Sequence, residues 1–128
     1  MLETGLSYEL TEEVTKEKLA STKGSGGLDV YATPEMITLM EKASLLAVAD
    51  HLPEGDTTVG TAVNIKHTSP TLPGSRVRVV ATLTEIDRRR LSFDVKAFDE
   101  AGEIGSGTHE RFIVNADRFL EKARNKKA

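Results

Sequence analysis

From Pro34 to about Asp50 the chain is apolar around most of its circumference if wound as an α-helix. At about 100° per residue, Met36, Ile37, Leu39, Met40, Ala43, Leu46, Ala47 and Val48 fill one broad arc, while Glu35, Thr38 and Lys42 take the opposite side. Thr33 before Pro34 fits an N-cap followed by proline at the first helical position, and Leu52-Pro53-Glu54-Gly55-Asp56 ends the helix. Elsewhere the period is two. Leu6, Tyr8 and Leu10 share one face of a strand over residues 6–10. Thr61, Val63, Ile65 and His67 share a face of a strand near 57–67. Val77, Val79, Ala81 and Leu83 line the next, with Arg76, Arg78, Thr82 and Thr84 opposite. The turn Asp87-Arg88-Arg89-Arg90 leads to Leu91, Phe93, Val95 and Ala97, and Asp99-Glu100-Ala101-Gly102 leads to a last strand from about Glu103 to Val114. Asp117 caps a short C-terminal helix, about 117–126, carrying Phe119 and Leu120. Thr15 caps a short turn through Leu19, and Ser21 to Gly27 reads as a flexible lid or linker.

The order is therefore strand, loop, greasy helix, then four strands joined by short turns, which predicts an antiparallel meander. A helix this apolar needs cover on most sides. One curved antiparallel sheet wrapped around it supplies that cover, an α+β architecture built as a single domain over residues 1–128. Sheet edges must be paired or hidden, and dimerisation is a common answer.

Composition narrows the function. The chain is 38% hydrophobic and 29% charged, as folded domains are. A net charge of -3 argues against a nucleic-acid partner. The sequence holds no apolar run of 18 residues, so no membrane span is expected, and MLETGLSYEL lacks signal-peptide features, which makes the cytoplasm the default location. Cysteine is absent, which removes disulfides, thiolate nucleophiles and cysteine metal sites. His51, His67 and His109 have no close spacing, so no metal site is predicted.

Glu41 is the candidate for chemistry. It lies at the edge of the apolar arc, beside Ile37, Ser44 and Val48, where desolvation penalises a carboxylate. A rim glutamate that bends out to solvent is the plain alternative. The glycines of Gly24-Ser25-Gly26-Gly27 suggest a phosphate loop, but the GxxxxGK[ST] spacing is missing.

Several segments point to one family: Ala32-Thr33-Pro34, Glu41, Thr57-Thr58-Val59-Gly60-Thr61, Ile65-Lys66-His67, Pro73-Gly74 and Gly107-Thr108-His109-Glu110-Arg111. In this order and spacing they resemble the hotdog-fold acyl-CoA thioesterases, in the branch that includes the fluoroacetyl-CoA thioesterase. The resemblance spans roughly Val30 to Val114. It implies a hotdog fold and cofactor-free, metal-free hydrolysis of an acyl-CoA by a homodimer or dimer of dimers. It also implies a catalytic set of Thr33, Glu41 and His67, with Gly60 beside the thioester and Arg111 in the substrate site. In that branch the loop before the helix helps cover the acyl group, and the aromatic residues of that loop belong to the fluoroacetyl-specific member. Here the loop is Gly24-Ser25-Gly26-Gly27-Leu28-Asp29 with Tyr31 the only nearby aromatic, so fluoroacetyl specificity does not carry over.

Each assignment has a structural counterpart. Glu41 would attack the thioester carbonyl or deprotonate water. His67, on the face of Val63 and Ile65, would orient Glu41 or water and protonate the departing thiolate, or is a hydrogen-bonded core histidine. Gly60 lets the substrate approach a backbone N–H, or marks a bulge. Thr33 is also a natural N-cap. Eight helical rises place it about 12 Å from Glu41, so either Thr33 folds back toward the pocket or a partner subunit completes the site. Arg76, Arg78 and Arg88 to Arg90 could meet CoA phosphates but fit solvated surface better. Two rivals use the same fold: a non-catalytic acyl-CoA-binding or ligand-sensing dimer, and a hydratase. The hydratase would need a histidine soon after Asp29, and none occurs before His51.

Overall fold

The computed structural model describes residues 1–126. Strand β1 (Ser7–Glu13) leads through a 3₁₀ turn at Lys16–Lys18 to the one-turn helix α1 (Ala20–Lys23) and the long helix α2 (Thr33–Ala49). Then follow β2 (Asp56–His67), β3 (Arg76–Asp87), β4 (Arg90–Asp99), β5 (Gly102–Asn115) and helix α3 (Ala116–Arg124). The strands form one antiparallel sheet in the order β1-β3-β4-β5-β2 that packs around α2, the α+β hotdog arrangement.

The core follows the two sequence periods. Met36, Leu39, Met40, Ala43, Ala47 and Val48 bury one face of α2. Against it lie Val77, Val79, Ala81 and Leu83 of β3 and Leu91, Phe93, Val95 and Ala97 of β4, all at most 1% exposed. Alanine on both sides of this contact lets helix and sheet approach closely. Each large aliphatic side chain buried here contributes about 1.5–3 kcal/mol.

Four local expectations change. Only β3, β4 and β5 form a meander; β2 crosses to the far edge and pairs with β5. The segment expected to be a flexible loop contains α1, closed by Gly24 at φ +78°, a left-handed conformation that glycine adopts without penalty. Ala32, not Thr33, is the N-cap of α2, and Thr33 is its first helical residue. Asn115, not Asp117, caps α3, its side chain accepting from the Arg118 N–H at 3.0 Å. Asn115 is in extended conformation at the end of β5, where the side chain can turn back onto the helix; Asp117 is already inside the first turn.

At one edge of the sheet, β2 has no strand on its outer side among the described residues. Residues 60–64 of this strand are exposed, including Val63 at 43%. The strand also carries a bulge: Gly60 faces Arg111 and Ala62 faces Glu110, leaving Thr61 as the extra residue. Thr61 Oγ1 donates to the Glu110 carboxylate at 2.6 Å.

Candidate active site

The first half of the site forms where the start of α2 meets the end of β2. Thr33 Oγ1 lies 2.8 Å from His67 Nδ1. Being inside the helix rather than capping it leaves the threonine hydroxyl free for this contact. His67 Nε2 is buried and has no hydrogen-bond partner among the described residues. Burial holds the imidazole below its ordinary value of 6.5, so it is neutral at pH 7. Tyr31 stands edge-on to His67, with ring centroids 6.4 Å apart at 81°. Its hydroxyl donates to Glu12 at 2.5 Å, and burial followed by that carboxylate pushes the phenol far above its usual range. Lys18 links Glu12 to Glu35 on α2, and Lys23 adds a second tie to Glu35. This chain of charges clamps the segment before α2 over the pair. The result is a cavity of about 260 Å³ whose walls include Val30, Tyr31, Thr33, His67 and Ser69.

The second half lies two turns along α2. A Cβ built on Gly60 would meet Glu41 Oε2 at 2.9 Å, His109 Cε1 at 3.2 Å and Arg111 Nη1 at 3.5 Å. The missing side chain is therefore what admits the Glu41 carboxylate to the β2 backbone. Gly60 sits in the bulge as well as in this close approach, so its two readings coexist. Arg111, 7% exposed, is held on three sides. Its Nε donates to Thr58 Oγ1 at 2.7 Å, Nη2 donates to the Thr58 carbonyl at 2.9 Å, and Nη1 donates to His109 Nε2 at 3.1 Å. Burial lowers the guanidinium from its ordinary value and the Glu41 charge opposes that shift, as complementary groups across a substrate cleft do. Thr38, Leu45 and Val59 complete the walls of this half.

The protomer thus brings Thr33 to His67, and Glu41 to Gly60 and Arg111, but as two separate halves. Thr33 and Glu41 remain eight residues apart on one helix, about 12 Å along its axis. Thr58 and His109 were not among the residues singled out from sequence. In the sequence, His109 stands out only as part of the segment Gly107 to Arg111, two residues before Arg111 and so on the same strand face.

Known proteins resemble this chain in sequence and in fold. A model of the fluoroacetyl-CoA-specific thioesterase family matches residues 14–117. The chain is 45% identical over 98 residues to a fluoroacetyl-CoA thioesterase of Streptantibioticus cattleyicolor, covering 77% of this chain and 70% of that protein. The solved fluoroacetyl-CoA thioesterase FlK superposes with a TM-score of 0.92 at 35% identity, over 100% of this chain and 99% of the other. A Thermus thermophilus member of the thioesterase superfamily gives 0.90 at 31% identity, over 98% and 93%.

Proposed function

The chain belongs to the fluoroacetyl-CoA-specific thioesterase family, and on that premise we propose that it hydrolyses the thioester of a short or medium acyl-CoA, giving the free acid and CoA. Thr33, Glu41 and His67 carry the chemistry in this reading, and Gly60 and Arg111 hold the substrate. The observation that carries the reading is the Glu41 carboxylate seated against the bare backbone of Gly60. Without a Cβ at Gly60, a thioester carbonyl can approach the strand backbone beside this acid. Glu41 either attacks the carbonyl carbon or takes a proton from the water that does. The tetrahedral intermediate then expels the CoA thiolate; where Glu41 is the base, Nε2 of a neutral histidine takes up the proton that Glu41 removed from water and hands it to the thiolate, and where Glu41 attacks, water cleaves the resulting anhydride, frees the acid and supplies that proton.

His67 suits that last step, because its Nε2 is buried and free while Nδ1 is occupied by Thr33. Its distance from Glu41 within one protomer calls for a second copy. The exposed edge of β2 supplies the means. Antiparallel pairing of β2 with a second β2 about a twofold axis at Asn64, with the bulge at Thr61 counted as one step, sets Gly60 of one protomer opposite the partner's His67. Each site then combines Glu41, Gly60 and Arg111 of one subunit with the Thr33–His67 pair of the other. A homodimer is accordingly the working unit. FlK is a fluoroacetyl-CoA thioesterase; here Ser25, Val30 and Tyr31 from the segment before α2 line the pocket, and this reading assigns it an acyl group other than fluoroacetyl.

Thiol release from a panel of acyl-CoAs, followed with a thiol reagent, tests the activity. The protein contributes no background because it has no cysteine. Release of one thiol per ester consumed is the expected outcome. Tight binding of the same esters without release would favour a non-catalytic acyl-CoA-binding dimer.

A further inference from the structure

His109 is the buried titratable group next to Gly60 to which the hydrolysis assigns no step. It is 3% exposed, and its ring lies against that of Phe93, its cross-strand neighbour, with centroids 6.3 Å apart. Both ring nitrogens are engaged. Nε2 faces Arg111 Nη1 at 3.1 Å, and Nδ1 faces the Ala62 carbonyl at 2.8 Å. A guanidinium only donates and stays protonated, so Nε2 must accept. The carbonyl only accepts, so the ring proton sits on Nδ1. Ala62 is the residue that resumes strand pairing after the bulge at Thr61. The imidazole therefore ties the substrate-site arginine to the bulge that presents Gly60.

We propose that His109 is a positioning residue for thioester hydrolysis: as the neutral Nδ1–H tautomer it locks Arg111 to the Gly60–Ala62 bulge beside the Glu41 carboxylate, and its protonation releases that lock. The proposal rests on the thioesterase reading of the site. A second ring proton would point Nε2–H at Arg111, so the acceptor would be lost and two cations would stand about 3 Å apart, a repulsive pairing in a buried site. The charged groups that bear on the ring are Glu41 from α2 and Glu110 and Arg111 from β5. From β4 Phe93 packs against it, and from β2 it meets the uncharged Ala62 carbonyl and the backbone of Gly60. Burial, then Arg111, drive the proton off; the Ala62 carbonyl and the two glutamates oppose them, and the net shift is below 6.5. The lock is thus closed at neutral pH and opens on acidification.

Two amide variants separate the two bonds. Gln at this position places an oxygen where Nε2 lies and keeps the acceptor for Arg111. Asn places its amide N–H where Nδ1 lies and keeps the bond to Ala62 but not the one to Arg111. With the acyl-CoA that wild type cleaves best, His109→Asn should lose about tenfold or more in kcat with KM within about threefold, because the displaced group belongs to the reacting geometry. His109→Gln, which keeps the Arg111 bond but not the tie to Ala62, should recover only part of that loss, and the acid limb of its kcat/KM profile should be one proton shallower than wild type. Full kcat in His109→Asn, or acid limbs that coincide, would overturn the proposal. Nitrogen-15 NMR of the imidazoles in wild type needs no variant to fold. A neutral Nδ1–H tautomer for His109 at pH 7.5 is expected, and the Nε2–H form or a charged ring would overturn the assignment. Absence of thiol release by wild type would instead sink the thioesterase reading itself, whatever the tautomer.

Discussion

Replacing Gly60 with alanine separates activity from stability. The new Cβ would lie 2.9 Å from Glu41 Oε2, about 0.5 Å inside the ordinary contact distance of 3.4 Å, and 3.2 Å from His109 Cε1. The carboxylate is the far end of a flexible side chain, so it yields and the fold does not. Gly60 does not have a positive φ, so alanine fits its backbone. Removing the conformational freedom of a strand glycine then stabilises the chain by about 0.5–1 kcal/mol. Displacement of a reacting group by half an ångström to one ångström costs about 10- to 100-fold in rate, roughly 1.4–2.7 kcal/mol in the barrier. Thiol-release kinetics and a urea titration on the same preparation should therefore show kcat down by that factor and the urea midpoint unchanged or higher. A folded Gly60→Ala enzyme with kcat within about twofold of wild type would refute the placement of Glu41 at the reacting centre.

Three further outcomes follow from the same geometry. Arg111→Lys replaces a guanidinium held at three points by a single ammonium, leaving the Thr58 carbonyl and His109 Nε2 without their donors. At about 1–3 kcal/mol for each orphaned group, the urea midpoint should fall by the equivalent of about 2–5 kcal/mol, and an unchanged midpoint would contradict the anchoring described. Val63→Glu sets a charge in the middle of the exposed β2 edge, with its twofold mate beside it, so sedimentation should show monomer and thiol release should be lost; an active monomer would exclude the shared site. The pH dependence of stability has a definite sign. His67 and His109 both titrate lower in the folded chain than the usual 6.5, so the unfolded chain binds more protons below that pH. Stability should be full above 6.5 and decline as pH falls through 6.5 toward the folded values, and a thermal midpoint that rises between pH 7 and 5.5 would contradict the burial of these rings.

Much of the fold is legible in local periodicity. The buried face of α2 and the alternation of Val77 to Leu83 and Leu91 to Ala97 are each set by neighbours close in sequence. The crossing of β2 to the β5 edge is not, because strand order depends on contacts about fifty residues apart, such as Gly60 with Arg111. At both helix starts the backbone, not the side chain, decides the cap. Thr33 and Asp117 carry good capping side chains, but Ala32 and Asn115 hold the extended backbone that a cap requires. Helix α1 lies in a Ser, Thr, Lys and Gly stretch with no apolar face to reveal it. At the site, Glu41 at the helix rim and Gly60 in a strand were each visible alone. Their contact was not, since it spans two elements. The part assigned to His109 depends on a ring tautomer fixed by Arg111 and by a bulge carbonyl, neither of which a strand pattern encodes.

The central claim is that Glu41 is the working carboxylate of an acyl-CoA hydrolase. Thiol release by wild type and Glu41→Gln, measured side by side on the preferred acyl-CoA, tests it most directly. The amide keeps the size of the side chain against Gly60 but can neither attack as a carboxylate nor take a proton from water. Release by wild type and its loss in Glu41→Gln, with ester binding retained, is the predicted result; full turnover by the variant would contradict it.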